Sequence, residues 1–490
     1  MSVEKRFLVR TFGCQMNEHD SERIANMLVK DGYSQTDDVE QADVVVLNTC
    51  CIRENADTKL YGNLGHLKAV KDRNQDLQIV VAGCLAQKDR DEIAKRASWV
   101  DVVVGTHNIS RVPTLLSDSR EFGTIVEILE ESSIDDELFS LTATRANLPF
   151  SAFVTVQVGC DNNCAFCIVP AVRGREVSRK FGDILAEVER LAAEGVTEIT
   201  LLGQNVNSYG RDLAIGARRS GEFDSFTLGE RYVGDPSRSL RPLFSELLRD
   251  VSAIEGIERV RFTSPHPKDI RPETIAAMAE VPQVMNQLHF PLQAGSNRIL
   301  SMMHRGYTAE RYLAKLAAAR EAIPDLAVTT DIIVGFPSET EDDFEATLEV
   351  AAKACFDSAF TFIYSPRPGT EASLMVDQFI DPDVIQKRFD ALKVVVERSA
   401  LQKHEERIGK VEMVLVEGPS KKHEGIFSAR TSQNKLVHFG KPQRGSEVRL
   451  GAGSYALVEI TSATPHFLRG ELVDVVSAPR HRRKIEIAVS

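Results

Sequence analysis

Residues 159–170 read GCDNNCAFCIVP and place Cys160, Cys164 and Cys167 in a C-x3-C-x2-C array directly behind the apolar run 153–158. A short loop at the end of a strand can gather three thiolates around one iron-sulfur cubane. Three ligands on four irons leave one iron open, and an open coordination position is where a substrate or cofactor binds and reacts. Structural zinc is the competing reading. It wants four ligands in two spaced pairs, and no second C-x2-C follows. The array therefore points to chemistry.

Outward from this loop, residues 151–367 alternate between strand and helix. Strands are expected near 153–158, 198–203, 259–264, 287–293, 327–336 and 359–365, most of them separated by helical patterns such as DILAEVERLAAEG (183–195). Six such units suit an incomplete parallel barrel, whose working face is the carboxyl end of its strands. The polar stretch between Tyr209 and Arg241 lacks periodicity and reads as a long loop, either a lid or an insertion.

Upstream, RFLVRTF (6–12), ADVVVLNT (42–49), QIVVAG (78–83) and WVDVVVG (99–105) alternate with helices starting near Glu18, Arg53 and Gln87, the pattern of an open parallel sheet. Cys14, Cys50 and Cys84 each follow one of the first three strands, so they would converge in the crevice at the strands' carboxyl ends. One cysteine at the same place in each unit points to a second three-cysteine cluster. Cys51 follows Cys50 directly, and spacing does not choose between them. Cys355, in AAKACF, reads as core.

Residues 117–147 carry eight Asp and Glu and read as a solvated acidic linker with one short strand at 124–129. After the helical run 384–409, six short strands between 411 and 476 suggest a small barrel of the oligonucleotide-binding kind, followed by the basic tail 480–484.

At 490 residues and 43% hydrophobic content the chain can build two to four domains. Eight cysteines are too few for a disulfide scaffold and fit a reducing compartment. With neither a signal-peptide core nor an apolar run long enough for a bilayer, a cytoplasmic protein without a membrane partner is expected. The net charge of −12 argues against nucleic acid, yet residues 411–490 hold 12 Lys and Arg against 8 Asp and Glu, leaving −16 for residues 1–410.

The segments TFGCQMNEHDSERI (11–24), LNTCCIRENADTKLYGNLG (47–65), VAGCLAQ (81–87) and GCDNNCAFCIVPAVRGREVSR (159–179), with the terminal barrel, resemble the radical S-adenosylmethionine methylthiotransferases over nearly the whole chain. Within that family, TFGCQMN resembles the branch that methylthiolates C2 of N6-dimethylallyladenosine at tRNA position 37. Other branches act on threonylcarbamoyladenosine or on a ribosomal-protein aspartate. The resemblance implies an N-terminal domain (5–120) whose Cys14, Cys50 and Cys84 hold an auxiliary 4Fe-4S cluster, and an acidic linker (121–147). It implies a radical core (148–380) whose Cys160, Cys164 and Cys167 hold a second 4Fe-4S cluster that binds S-adenosylmethionine. An RNA-binding TRAM domain (400–475) and a basic tail (476–490) complete it. Cys50 is selected over Cys51 because LNTC carries the matching cysteine. Implied partners are a tRNA anticodon stem-loop, an electron donor such as flavodoxin or ferredoxin, and a sulfur donor, acting on a monomer.

Ala294 stands where relatives often have Ser, Ser338 where Gly is common, and residues 211–240 look longer than the family needs. For the S-adenosylmethionine site, Gly203, Gly295 and Gly335 would let backbone approach the cofactor, while Asn205 and Gln293 lie at strand ends where they could make polar contacts. Arg173 and Arg175 would face phosphate or cofactor, or form surface ion pairs. His266 and His289 read as structural. The rival from another class is an RNA-binding iron-sulfur carrier that leaves S-adenosylmethionine intact.

Overall fold

Strands β1 (Arg6–Phe12), β2 (Ser34–Gln35), β3 (Val44–Thr49), β4 (Gln78–Ala82), β5 (Val102–Val104) and β6 (Ile125–Glu127) form one parallel sheet in the order β2-β1-β3-β4-β5-β6. The structure is a computed structural model that describes residues 5–51, 55–129, 148–420, 423–440 and 450–480. Because side chains alternate along a strand, the valine-rich runs feed two cores. Val45, Leu47, Ile79, Val81 and Val103 pack on one face, and Val44, Val46, Val80, Val102 and Val104 on the other. β1, β3 and β4 are neighbours in the sheet, which brings the residues that follow them side by side.

Two boundaries differ from the sequence reading. Helices begin at Gln15 and Cys84 rather than near Glu18 and Gln87, so Cys14 caps the first and Cys84 opens the second. The sheet also continues past residue 120: Ile125–Glu127 pairs with β5, and Glu127 accepts a hydrogen bond from Asn108. A sheet edge has thus taken the start of the expected acidic linker, whose residues 130–147 lie outside the described ones. The helix expected from Arg53 is described from Asn55 to Arg73.

The central unit contains β7 (Ser151–Thr155), β8 (Gln157–Val158), β9 (Val177–Ser178), β10 (Glu198–Leu202), β11 (Arg259–Phe262), β12 (Gln287–His289), β13 (Ala327–Val334) and β14 (Ser358–Ile363). Strands β7, β10 and β11 form one parallel sheet and β12, β13 and β14 another. A bridge between Val260 and Val284 joins them into an open six-strand barrel. The short ribbon β8–β9 flanks the cysteine loop. Residues 211–234 are not a loop: they form helices Arg211–Ser220, Ser225–Leu228 and Glu230–Gly234, of which the middle one packs on helix Phe181–Ala193, and Leu228 and Tyr232 are buried. Breaks at Gly221 and Gly229 keep each helix too short to show its period in the sequence.

Strands β15 (Val411–Pro419), β16 (Ile426–Thr431), β17 (Leu436–Gly440), β18 (Tyr455–Ala463) and β19 (Leu468–Ser477) close into a barrel in the order β15-β16-β17-β19-β18. The sixth strand, expected at 446–452, falls mostly outside the described residues. This barrel docks on the amino ends of the central strands. Arg259 donates to the carbonyls of Arg430 (2.9 Å) and Met413 (3.1 Å), and Arg261 to those of Ser432 (3.0 Å) and Thr431 (2.9 Å). Lys435 Nζ meets Asp357 Oδ1 at 2.5 Å with both side chains buried, while Phe150 packs on Leu415 and Tyr455. Part of the basic charge counted in the sequence is therefore spent inside the molecule, where Lys435 is buried against Asp357.

Lys435→Met leaves the Asp357 carboxylate buried without its cation, at a cost of about 3–5 kcal/mol. Denaturant unfolding should show that loss, and Lys435→Met combined with Asp357→Leu should recover most of it.

Candidate functional site

The Cys160/Cys164/Cys167 loop hangs at the carboxyl end of β7 and β8 and is held from several sides. Ala165 N–H donates to Met303 O, Ala372 N–H to Ala165 O, and Cys160 N–H to Gly174 O. Gly159 makes the entry possible at φ +76, since a Cβ there would lie 1.9 Å from the Arg175 carbonyl. Arg305 donates from Nη1 to Cys164 Sγ at 3.3 Å and from Nε to the Tyr307 hydroxyl at 3.2 Å. Burial pushes the Cys160 thiol up to about 11 and Cys167 to about 12, so neither ionises readily unless a positive centre joins it.

The second set assembles around Asn17. Its Oδ1 accepts from Cys14 Sγ at 3.5 Å and from Cys84 Sγ at 3.8 Å, and its Nδ2 donates to Asn48. Cys14 also hydrogen-bonds Cys50, which pulls its thiol down to about 6 against burial, with the Arg173 charge acting in the same direction. Gly13 permits this closeness at φ +142: a Cβ would stand 2.3 Å from that of Cys50. Cys51 lies in the apolar core with Leu60, Leu64 and Cys84, and its hydrogen bond with Cys84 and its burial raise its thiol strongly. Among the described residues no three His, Cys, Asp or Glu side chains lie close enough together to hold a single metal ion. Cys355 caps helix Glu341–Ala354, half-buried, far along the chain from both sets.

One cavity of about 1380 Å³ is lined by Cys14 and Cys50 of one set and Cys167 of the other, together with Gln293, His289 and Phe360 of the central barrel. The segment after Cys167 ties the walls together. Ile168 and Val172 belong to the core of the N-terminal unit, and Thr106 Oγ1 donates to the Val172 carbonyl at 2.6 Å. Arg173 Nη2 donates to Asp20 Oδ2 at 2.7 Å, both side chains 5% exposed. Arg173 is thus neither at the surface nor open to phosphate, whereas Arg175 is exposed.

Sequence comparison matches residues 6–105 to the uncharacterized protein family UPF0004, residues 154–351 to the radical SAM superfamily, and residues 405–473 to the TRAM domain. A tRNA-2-methylthio-N6-dimethylallyladenosine synthase of Streptomyces viridosporus is 50% identical over 474 residues, covering 95% of this chain and 87% of that one. The protein of the same name from Acidothermus cellulolyticus is 50% identical over 477 residues, covering 96% and 88%. The chain belongs to the tRNA-2-methylthio-N6-dimethylallyladenosine synthase family. Among solved structures, a radical S-adenosylmethionine methyltransferase from Kitasatospora setae aligns with a TM-score of 0.49 at 12% identity, over 76% of this chain and 77% of that one. No helix among the described residues is long and apolar enough to cross a membrane.

Members of this radical S-adenosylmethionine family use 4Fe-4S clusters and S-adenosylmethionine, and the residues present fit both. Six thiols in two groups of three suit two clusters. Beside Cys160 lies a hydrogen-bonded network short of donors. Gln157 Nε2 donates to the Asn205 carbonyl, and Ser208 Oγ donates to Glu176 Oε2 at 2.6 Å. Among the described residues the oxygens Gln157 Oε1, Gln204 Oε1 and Asn207 Oδ1 are buried without partners. Such acceptors call for donors, and the ammonium and ribose hydroxyls of S-adenosylmethionine supply them.

Of the expected cofactor contacts, Asn205 lies in this network but spends its amide on Asp269 (2.8 Å) and the His266 N–H (3.2 Å). At Gly203 a Cβ would meet Gln157 Cγ at 2.8 Å. Gln293, at φ +66, lines the cavity. The close approach that Gly295 permits is to helix Glu341–Ala354, with a Cβ 2.5 Å from Ala346 O, and at Gly335 it is to Ile385. Burial lowers His266 to about 2, leaving it neutral, and His289 pairs with Asp331 at 3.4 Å. Sequence reasoning missed Asn17, one helical turn after Cys14 in CQMN, and Arg305, which no local pattern connects to Cys164.

Two outcomes follow. Arg173→Met strands Asp20 and should cost about 3–5 kcal/mol, read by denaturant unfolding, with Arg173→Lys recovering part. Burial raises Glu176 from 4.5 to about 7. Between those values the folded chain keeps a proton that the unfolded chain has released, so stability falls as pH rises. Glu176→Gln should remove up to about 3 kcal/mol of that decline between pH 4.5 and 7.5, measured by unfolding midpoints.

Proposed function

We propose that this enzyme methylthiolates C2 of N6-dimethylallyladenosine at tRNA position 37, with Cys160, Cys164 and Cys167 holding the radical cluster and Cys14, Cys50 and Cys84 the auxiliary cluster. The observation that carries the reading is the single cavity on which Cys14, Cys50 and Cys167 all open. When bound, the radical cluster supplies the electron that cleaves S-adenosylmethionine to a 5'-deoxyadenosyl radical, and the auxiliary cluster supplies sulfur.

The chain's own residues do the rest. Glu176, Gln157 and Asn207 offer acceptors to the cofactor's donors, and Arg305 steadies Cys164. Arg173 and Asp20 hold the two cysteine-bearing walls in register, which sets the reacting atoms' separation before substrate arrives. The terminal barrel covers the amino ends of the central strands and shields the lumen from water on that side. A base stacked in the anticodon loop must be unstacked to reach this chamber, at a cost of a few kcal/mol offset by contacts to the RNA backbone. A flavodoxin or ferredoxin as electron donor, a separate sulfur donor, and action as a cytoplasmic monomer complete the proposal.

Nucleoside mass spectrometry on an anticodon stem-loop bearing dimethylallyladenosine, incubated anaerobically with reconstituted enzyme, S-adenosylmethionine and reductant, tests the reaction. A product gaining one methylthio group in place of hydrogen is expected. Cofactor cleavage with an unchanged base would refute the substrate, and an iron-loaded protein that cleaves nothing would favour the carrier. Cys14→Ala should keep cofactor cleavage while losing thiolation; a variant that still thiolates the base would refute the auxiliary assignment.

A further inference from the structure

We infer that Phe360 and Phe362 on β14 form the apolar subsite that seats the N6-dimethylallyl group, so that this strand sets the enzyme's demand for a prenylated base. The inference rests on the substrate reading above and deepens it by naming the residues that would recognise the prenyl chain.

The two phenylalanines lie two positions apart, with Thr361 between them, and so share one face of the strand. They are 56% and 37% exposed, and their register partners on the neighbouring β13, Asp331 and Ile333, are half-buried on the same face and line the same cavity. Both line the cavity that also holds Cys14, Cys50 and Cys167. Both rings sit on β14, the last strand of the open barrel, where an apolar group entering this cavity can cover them.

The Phe360 ring is also held. His289 meets it edge-on, with centroids 6.4 Å apart and planes at 65°. His289 is itself fixed by hydrogen bonds to Thr329 (3.0 Å) and a pairing with Asp331 (3.4 Å). An apolar platform therefore stands beside a polar pair, which matches a purine edge carrying an apolar substituent.

The substrate supplies the complement. Phosphates, riboses and base edges are polar, and the five-carbon chain is the apolar group the modified nucleotide brings. On adenine, N1 separates C2 from the carbon bearing N6. With C2 turned to the sulfur side, the chain must rest on a different part of the wall from the cysteines. β14 belongs to the central barrel, whereas Cys14 and Cys50 belong to the N-terminal unit.

Binding of anticodon stem-loops to the reconstituted enzyme without reductant tests this. Three RNAs carry adenosine, N6-methyladenosine or N6-dimethylallyladenosine at the target position. The wild type should bind the dimethylallyl RNA at least about tenfold more tightly than the unmodified one, with the methyl RNA between. Phe360→Ala with Phe362→Ala should cut that ratio to roughly one to three while leaving the unmodified RNA within about twofold. Phe360→Leu, which keeps an apolar surface, should retain most of it. Melting temperature and iron content check folding. A double variant that keeps the wild-type ratio, or that weakens all three RNAs equally, overturns the subsite. Should the double variant fail to load iron, the wild-type series decides, and equal affinity for the three RNAs overturns it. Selective binding without methylthiolation would sink the functional reading and keep the subsite; methylthiolation without selectivity would do the reverse.

Discussion

Two sets of cysteines carried by separate folding units must face one chamber, and the segment from Cys164 to Arg173 meets that constraint. Ala165 belongs to the core of the barrel, while Ile168 and Val172, a few residues on, belong to the core of the N-terminal sheet. Arg173 then closes on Asp20, one turn and a half into the helix that Cys14 caps. A charge pair this deep is costly to form and more costly to break from one side. Its value lies in register: neither unit can slide without stranding a charge.

The terminal barrel follows a similar logic. Arg259 and Arg261 satisfy carbonyls at its rim, and Lys435 reaches down to Asp357 at the start of β14. These contacts use basic side chains as internal fasteners. The charge surplus of residues 411–490 is consequently a poor guide to where nucleic acid lies, because some of its cations already have carboxylate partners. What docking does achieve is a closed end to the lumen, leaving the chemistry to the carboxyl ends of the strands, where every cysteine of both sets is found.

Much of this was legible in the chain. The C-x3-C-x2-C loop and the cysteine after each of three strands were local signals, and parallel strand order follows from alternating strand and helix. Less visible was anything built from irregular pieces. The helices of residues 211–234 are too short to show a period, and the short strand at 124–129 was legible while its pairing with β5 at the sheet edge was not, because a three-residue edge strand inside an acidic segment carries no mark of its partner. Gly295 and Gly335 looked like cofactor glycines; their open sides face a helix backbone and Ile385.

Domain order, the strand-end placement of both cysteine sets and the family are legible in the linear chain, because each depends on residue types at fixed spacing along one segment. The packing of the folded layers sets which side chains meet across segments. It paired Cys50 with Cys14 and Cys51 with Cys84, and it joined Arg305 to Cys164 and Arg173 to Asp20. It also left Phe360 and Phe362 bare in the lumen. Those pairings depend on how separate layers pack, and a linear pattern carries no record of which side chains meet between segments tens to more than a hundred positions apart.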